Sequence, residues 1–158
     1  MVREKSCFFT GHRDAGEECR GMLEGAVLDL INSGVDTFIA GGAVGFDMIA
    51  AEAVLEIKAD YPHIRLLLYL PCRNHSAKWD AEDCTRLDVI INNADEVRYI
   101  TDGEYTDGCM KQRNAAMVHD AHYCVAWFNR RIGGTSQTVA IAKKCGCAVR
   151  NIVYEKSL

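Results

Sequence analysis

Short apolar segments alternate with helical patterns along this 158-residue chain, and this alternation constrains its fold more than any other feature. The segment 66–70 is an uninterrupted apolar run, which is typical of a strand buried on both faces of a parallel sheet. The predicted strands cover residues 7–10, 37–40, 64–70, 96–100, 123–128 and 148–154.

Amphipathic helices are predicted between these strands. Leu23, Val27 and Ile31 belong to the first apolar stripe, and further stripes lie within 50–57, 84–91, 110–121 and 136–144. Strands that alternate with helices of this length form βαβ units with right-handed crossovers. We therefore predict a single α/β domain over residues 1–158, doubly wound, with a mostly parallel sheet and helices on both faces.

Composition restricts the partners of such a domain. The formal net charge is −4, so binding to nucleic acid through phosphate neutralisation is not expected. No apolar run approaches the ~20 residues that span a bilayer, and no secretory signal pattern follows Met1. We expect a cytoplasmic protein that does not associate with membranes. A homo-oligomer is compatible with the sequence.

The chain has eight cysteines, which lie mostly inside apolar segments. No CxxC pair occurs, and the usual spacing of zinc ligands is missing. We interpret the cysteines as reduced, largely buried thiols, and we expect neither a metal site nor a required cofactor.

Polar or glycine-rich turns follow three of the predicted strands, at 11–13, 41–47 and 129–135. In a doubly wound sheet, ligands bind at the carboxyl ends of the strands, near the topological switch point. We therefore expect the three turns to meet at one edge of the domain.

Two of these turns are suited to binding a phosphate. Gly41, Gly42 and Gly45 precede the second helix, and Gly133 and Gly134 precede the fifth. Glycine lets the backbone approach a ligand closely, and a helix N-terminus offers unpaired amides and a positive dipole end. Either turn alone is also typical of an ordinary tight turn, but two at one edge favour an anion site.

Several side chains near these turns have alternative interpretations. Arg13 presents a fork of donors suited to phosphate or carboxylate, or it is a solvated surface residue. His12 polarises a ligand or holds its own loop. Asp47 caps its helix or binds a ribose hydroxyl. Glu52 lies about 140° around the helix from Asp47, so the two are not expected to face each other as a pair.

Arg113 and Asn114 lie near the middle of the fourth helix, whose apolar stripe contains Met117. An arginine at the edge of such a stripe either enters the site or extends along the surface. Trp79 stacks on a base or belongs to the core, and the core is favoured. We assign His75 a structural role.

Four parts of the chain resemble the YpsA-like branch of the SLOG superfamily, the Rossmann-like group that also contains the DprA DNA-processing proteins and the LOG phosphoribohydrolases. They are FTGHR (9–13), GGAVGFD with AE (41–47 and 51–52), QRNAAMV (112–118), and WFN with GGT (127–129 and 133–135). The resemblance implies a Rossmann-like fold that binds nucleotides or nucleotide-derived ligands.

The resemblance also bears on catalysis. Arg113 and Met117 match the Arg-Lys-x-x-Met segment of the LOG enzymes, whose arginine helps catalysis, and Asn114 replaces the lysine. The catalytic glutamate of those enzymes falls at Thr138 here. Cleavage of a nucleotide N-glycosidic bond needs a carboxylate beside an oxocarbenium-like transition state. In this chain, Asp47, Glu52 or Asp107 would have to supply that carboxylate in place of the glutamate.

We expect the chain to bind or sense a phosphorylated nucleotide or a nucleotide-derived small molecule at the carboxyl edge of the sheet. The alternative is a LOG-type nucleoside 5′-monophosphate phosphoribohydrolase, with Arg113, Glu52 and Asp47 as catalytic candidates. DprA-like binding of single-stranded DNA is less expected, and an NAD-dependent dehydrogenase is disfavoured because GxGxxG is missing. The predicted ligand-binding residues are Gly11, His12, Arg13, Gly41, Gly42, Ala43, Gly45, Asn114, Asn129, Gly133, Gly134 and Thr135.

Overall fold

A six-stranded parallel sheet forms the centre of the computed structural model, which describes residues 1–155. The strands are β1 (Ser6–Gly11), β2 (Thr37–Ala40), β3 (Arg65–Leu70), β4 (Glu96–Tyr99), β5 (Tyr123–Trp127) and β6 (Ala148–Asn151). Their order is β4-β3-β2-β1-β5-β6, and each neighbouring pair is parallel. The chain therefore builds outward from β1 to β4 and then returns to place β5 on the other side of β1.

Five helices cover the two faces of the sheet. They are α1 (Arg20–Asn32), α2 (Phe46–Lys58), α3 (Ala81–Asn93), α4 (Cys109–Asp120) and α5 (Gly134–Lys144). The helices α1, α2 and α3 pack on one face, and α4 and α5 pack on the other. No helix in residues 1–155 combines the length and apolar character needed to cross a membrane. The doubly wound, Rossmann-like α/β fold is confirmed.

The side chains of β1 point alternately to the two faces of the sheet, and this shows why the apolar runs are continuous. Phe9 packs with Phe38 in the layer beneath α1 and α2, whereas its neighbour Phe8 packs with Met117 beneath α4. Successive residues of a strand point to opposite faces, so a strand covered by helices on both sides is apolar at every position.

The predicted strand 148–154 is too long, because strand geometry ends at Asn151 and a 3-10 turn follows over Ile152–Tyr154. The Asn151 side chain accounts for the difference. Its amide donates to the Phe128 carbonyl (2.8 Å), and its oxygen accepts from the Phe128 amide (3.1 Å). A side chain thus replaces the backbone pairing that would have extended both β5 and β6.

The cysteines lie mainly in the interior. Six of the eight thiols are buried, Cys84 is half-buried and Cys145 is exposed. Cys7 and Cys124 lie in β1 and β5, where burial raises the pKa of each thiol above its ordinary value. These buried thiols behave as small apolar groups of the core.

Phe46, the first residue of α2, joins the second turn to the sheet. Its fully buried ring lies 6.4 Å from that of Phe9 and 6.5 Å from that of Trp127, and it covers the Cα of Gly11. A Cβ at Gly11 would overlap the Phe46 ring. The end of β1 must therefore be glycine if α2 is to begin where it does.

We expect Gly11→Ala to lower the free energy of unfolding by about 1–3 kcal/mol, because the added methyl group overpacks a rigid aromatic contact. Chemical denaturation followed by circular dichroism measures the change. Gly25→Ala, at an exposed site inside α1 with open space around its Cα, is the matched control and should raise stability by up to about 1 kcal/mol. Equal stabilities for the two variants would contradict this packing.

Candidate functional site

A cavity of about 490 Å³ opens at the carboxyl edge of the sheet. Its walls come from the turns after β1, β2 and β5 and from one side of α4. From the neighbouring strands β1 and β5 the chain continues to α1 on one face and α5 on the other, which opens a crevice between the turns. This is the topological switch point, where doubly wound folds bind ligands.

The turns after β1 and β2 are packed directly against each other. Gly45 has a φ of +80°, and its Cα lies against the carbonyl of Arg13, where a Cβ would clash with the backbone. The Phe46 amide donates to the His12 carbonyl at 3.2 Å. Glycine is required at position 45 both by its φ and by this contact.

Arg113 is buried at the floor of the cavity, with 4% of its surface exposed. Its Nη1 donates to the Gly41 carbonyl and lies 3.9 Å from Asp47 Oδ2, and its Nε donates to Asn114 Oδ1 at 2.7 Å. Nη2 has no hydrogen-bond partner in residues 1–155, yet it is not sealed from solvent. Because Arg113 lines the cavity, this unbonded nitrogen is available to a molecule bound there.

Asp47 is the one acidic side chain among the described residues that line the cavity. Burial raises the pKa of its carboxyl group, and the charge of Arg113 and the Ala43 amide act in the opposite direction. Burial also lowers the pKa of Arg113, although a guanidinium remains charged in proteins. Arg13 and Arg131 line the same cavity, so positive charge is in excess there.

Arg131 joins the first and last of these turns at the mouth of the cavity. Its Nη1 and Nη2 donate to the two carboxylate oxygens of Asp14 at 2.8 and 2.7 Å, and its Nε donates to Asn129 Oδ1 at 3.1 Å. The hydrogen bond from Arg131 lowers the pKa of Asp14. The loop 129–133 is thus tied to the turn after β1.

His12 ties the same loop from the other side. Its Nε2 accepts a hydrogen bond from the Asn129 amide at 3.0 Å, so the neutral ring carries its proton on Nδ1. Partial burial lowers the pKa of His12, and the positive charge of Arg131 acts in the same direction. Of the two roles considered from the sequence, the geometry places His12 in that of holding the loop.

The N-terminus of α5 points unpaired amides toward the cavity. Gly133, Gly134 and Thr135 line the wall, and the amides of residues 134 and 135 have no acceptor in residues 1–155. The Gly133 amide is satisfied by the Ser136 hydroxyl at 2.8 Å. A Cβ built on Gly133 or Gly134 meets nothing within 4 Å, so protein packing does not require glycine at either position.

Most of the predicted ligand-binding residues come together in this one cavity. The lining residues include Gly11, His12, Arg13, Ala43, Asn114, Gly133, Gly134 and Thr135, together with Asp47 and Arg113. Gly41, Gly42, Gly45 and Asn129 lie behind that wall and hold it through the packing and hydrogen bonds of their turns.

Glu52 lies elsewhere. Its carboxylate pairs with Arg86 of α3 at 2.5 Å, and it borders a surface groove between α2 and α3. The helical angle between Asp47 and Glu52 accounts for this separation, because Asp47 faces the sheet edge while Glu52 faces the next helix. Of the three candidate catalytic residues, Arg113 and Asp47 alone line the cavity.

Some residues of the site were missed by sequence reasoning. Asp14, Arg131 and Ile132 were not candidates, although all three lie within or beside turns that were. Arg131 and Asp14 are 117 residues apart in sequence, and no local pattern pairs them. Two residues of the segment before α3 have the roles that the sequence favours. Trp79 packs at the edge of the core, and His75 has a structural role, since it donates a hydrogen bond to the Gly42 carbonyl at 3.2 Å.

Thr138 occupies the position of the LOG glutamate. Its side chain is buried, with 1% exposed, and its hydroxyl donates to the Gly134 carbonyl at 2.8 Å. The hydroxyl is therefore occupied within α5 and supports the turn instead of presenting a charge to a ligand.

Burial lowers the pKa of His75 below the ordinary value of 6.5, and this predicts a pH dependence of stability. As the pH falls from 7 to 5, the unfolded chain takes up a proton at this histidine before the folded chain does, so the folded state loses stability. The stability of the wild type should decline relative to that of His75→Gln over this interval. Denaturant titrations at several pH values measure the difference, and an increase toward acid would contradict it.

A family model described as the YspA SLOG family matches residues 6–146. A UPF0398 protein of Halalkalibacterium halodurans is 28% identical over 124 residues, which is 77% of this chain and 66% of that protein. An "uncharacterized SPbeta prophage-derived protein YoqJ" of Bacillus subtilis is 28% identical over 118 residues, 68% of this chain and 69% of the relative. This chain thus spans about two thirds of the length of these curated relatives.

Two solved structures of DNA processing protein A share the fold. The protein of Streptococcus pneumoniae superimposes with a TM-score of 0.70 at 16% identity, over 91% of this chain and 48% of that one. The protein of Helicobacter pylori superimposes with a TM-score of 0.66 at 18% identity, over 94% of this chain and 64% of that one. Because the family model covers β1 through α5, and with it every residue that lines the cavity, this chain belongs to the YspA SLOG family.

Proposed function

We propose that this chain binds a phosphorylated nucleotide or a nucleotide-derived small molecule in the cavity between the turns after β1, β2 and β5. The observation that carries the proposal is the buried guanidinium of Arg113, which lines the cavity and is held by Gly41 and Asn114, with Nη2 unbonded. A fixed and partly desolvated arginine is suited to a phosphate or carboxylate.

The rest of the wall supports an anionic ligand. The free amides at the start of α5 and the positive end of its dipole favour negative charge. Arg13 is exposed and has no side-chain partner among the described residues, so its donors are available. Apolar side chains of Met110 and Met117 line the same space, as expected for a site that also accepts an uncharged ring.

The proposal is one of binding, not hydrolysis. N-glycosidic cleavage needs a carboxylate free to stabilise positive charge at the sugar. Asp47, the acid that lines the cavity, lies against Arg113 and accepts from the Ala43 amide, and burial disfavours its charged form. Thr138 supplies no charge where the LOG enzymes have their glutamate.

We expect saturable binding when the purified chain is titrated with the common nucleoside 5′-monophosphates and with ADP-ribose in a calorimeter. Gly134→Ala should weaken this binding at least tenfold, because its methyl group enters open space beside the α5 amides. The fold should be unaffected, since alanine is favoured over glycine in a helix.

Gly25→Ala in α1 is the matched control and should bind as the wild type does. The absence of saturable binding by the wild type to any of these compounds would overturn the proposal. Unchanged affinity in Gly134→Ala would remove the α5 turn from the site.

Binding of single-stranded DNA is a second candidate, favoured by one observation: the Helicobacter pylori structure with the same fold is described through its single-stranded DNA binding mode. The cavity mouth of the present chain carries the exposed arginines Arg13 and Arg131. If this candidate is right, a fluorescent oligothymidine should bind with an affinity that falls steeply with salt, at a slope of about −0.7 per phosphate contacted. Arg13→Ala should reduce that slope by about 0.7, and no binding at low salt would eliminate the candidate.

A further inference from the structure

Ile132, in the loop 129–133, is the most exposed large apolar side chain among the described residues, at 98%. The next, Tyr154, is 61% exposed. An isoleucine in this position makes almost no contact with the protein, so folding gains nothing from its apolar surface. Ile132 nevertheless lines the cavity, so its surface is available to a molecule bound there.

The backbone on both sides of Ile132 is anchored. The Asn129 amide is bonded to His12, Arg131 is bound to Asp14 through two hydrogen bonds, and the Gly133 amide is bonded to Ser136. Arg130 has a φ of +70°, which is uncommon for a residue other than glycine and costs conformational energy. A strained, anchored loop thus holds one apolar side chain beside the cavity.

The position of Ile132 relates it to the anion site. Gly134, whose amide is free, lies two positions further along the chain, and two residue steps span at most about 7 Å. A phosphate at the start of α5 would therefore leave the remainder of its ligand within reach of Ile132. Met110 and Met117 supply further apolar surface to the same cavity.

We infer that Ile132 packs on the nucleobase of the bound ligand and makes the site selective for nucleotides over phosphorylated sugars. This inference rests on the proposed function. A planar base buries apolar surface against an aliphatic side chain, whereas a phosphorylated pentose has no comparable face.

A second copy of the chain is a less suitable partner for Ile132. Stable protein interfaces bury more than about 1,000 Å² and have a continuous apolar centre. The neighbours of Ile132 in sequence are two arginines and two glycines, and the cavity begins immediately beside it. A single exposed side chain at a cavity rim fits a small ligand better.

The test compares the tightest-binding nucleoside 5′-monophosphate with ribose 5-phosphate in calorimetric titrations. Ile132→Ala should weaken binding of the nucleotide about tenfold and leave that of ribose 5-phosphate within twofold. The melting temperature should not change, because the side chain is exposed. Ile141→Ala, which removes an exposed isoleucine of α5 outside the cavity, is the matched control and should affect neither ligand.

Equal losses for both ligands, or no loss for the nucleotide, would overturn the inference while the proposed binding function stands. If the wild type binds none of the nucleoside 5′-monophosphates, ADP-ribose and ribose 5-phosphate, both proposals fail. Sedimentation of wild type and variant adds a separate readout: a shift from dimer to monomer in Ile132→Ala, with nucleotide affinity intact, would assign the residue to self-association and overturn its role in selectivity.

Discussion

Burial of the Arg113 guanidinium is the interaction on which the arrangement of the cavity depends. A charge taken out of water is tolerated only with good hydrogen bonds and a counter-charge, and Gly41, Asn114 and Asp47 provide them. These partners come from the turn after β2 and from α2 and α4 itself. Arg113 therefore fixes the relative positions of elements from both faces of the sheet, while its Nη2 stays unbonded at the cavity wall.

The sequence predicts the fold well because the apolar pattern of each strand or helix lies within one short segment of the chain. The apolar run at 66–70 and the stripe from Leu23 to Ile31 follow from burial on two faces and on one face. The ends of elements are less predictable, as β6 shows, since the Asn151 side chain replaces backbone pairing. The position of Arg113 in the site was one of two alternatives, because an arginine beside an apolar stripe looks the same in sequence whether it enters the site or extends along the surface.

The site was predictable in its turns but not in its long-range contacts. Strand exits in a doubly wound sheet converge by topology, so His12, Ala43 and Gly134 were found from position alone. The Arg131–Asp14 pair depends on where two distant loops meet. No sequence pattern marks Ile132, which is singled out by its exposure in the structure. The likeness to the DNA processing proteins, at 16 and 18% identity, shows the fold alone, so function has to be argued from these side chains.

The two glycine turns look equivalent in sequence, yet the structure gives them different physical roles. Gly41 and Gly45 are surrounded by Arg113, Asp47 and the Arg13 backbone, so glycine is needed there for the protein to pack. Gly134 and its neighbour Gly133 face empty space, and neither has a φ that excludes other residues. Both glycines line the cavity, so a side chain at either position would take up space that a ligand can otherwise fill. The turn before α2 therefore builds the wall of the cavity, and the turn before α5 is the part of that wall open to a ligand.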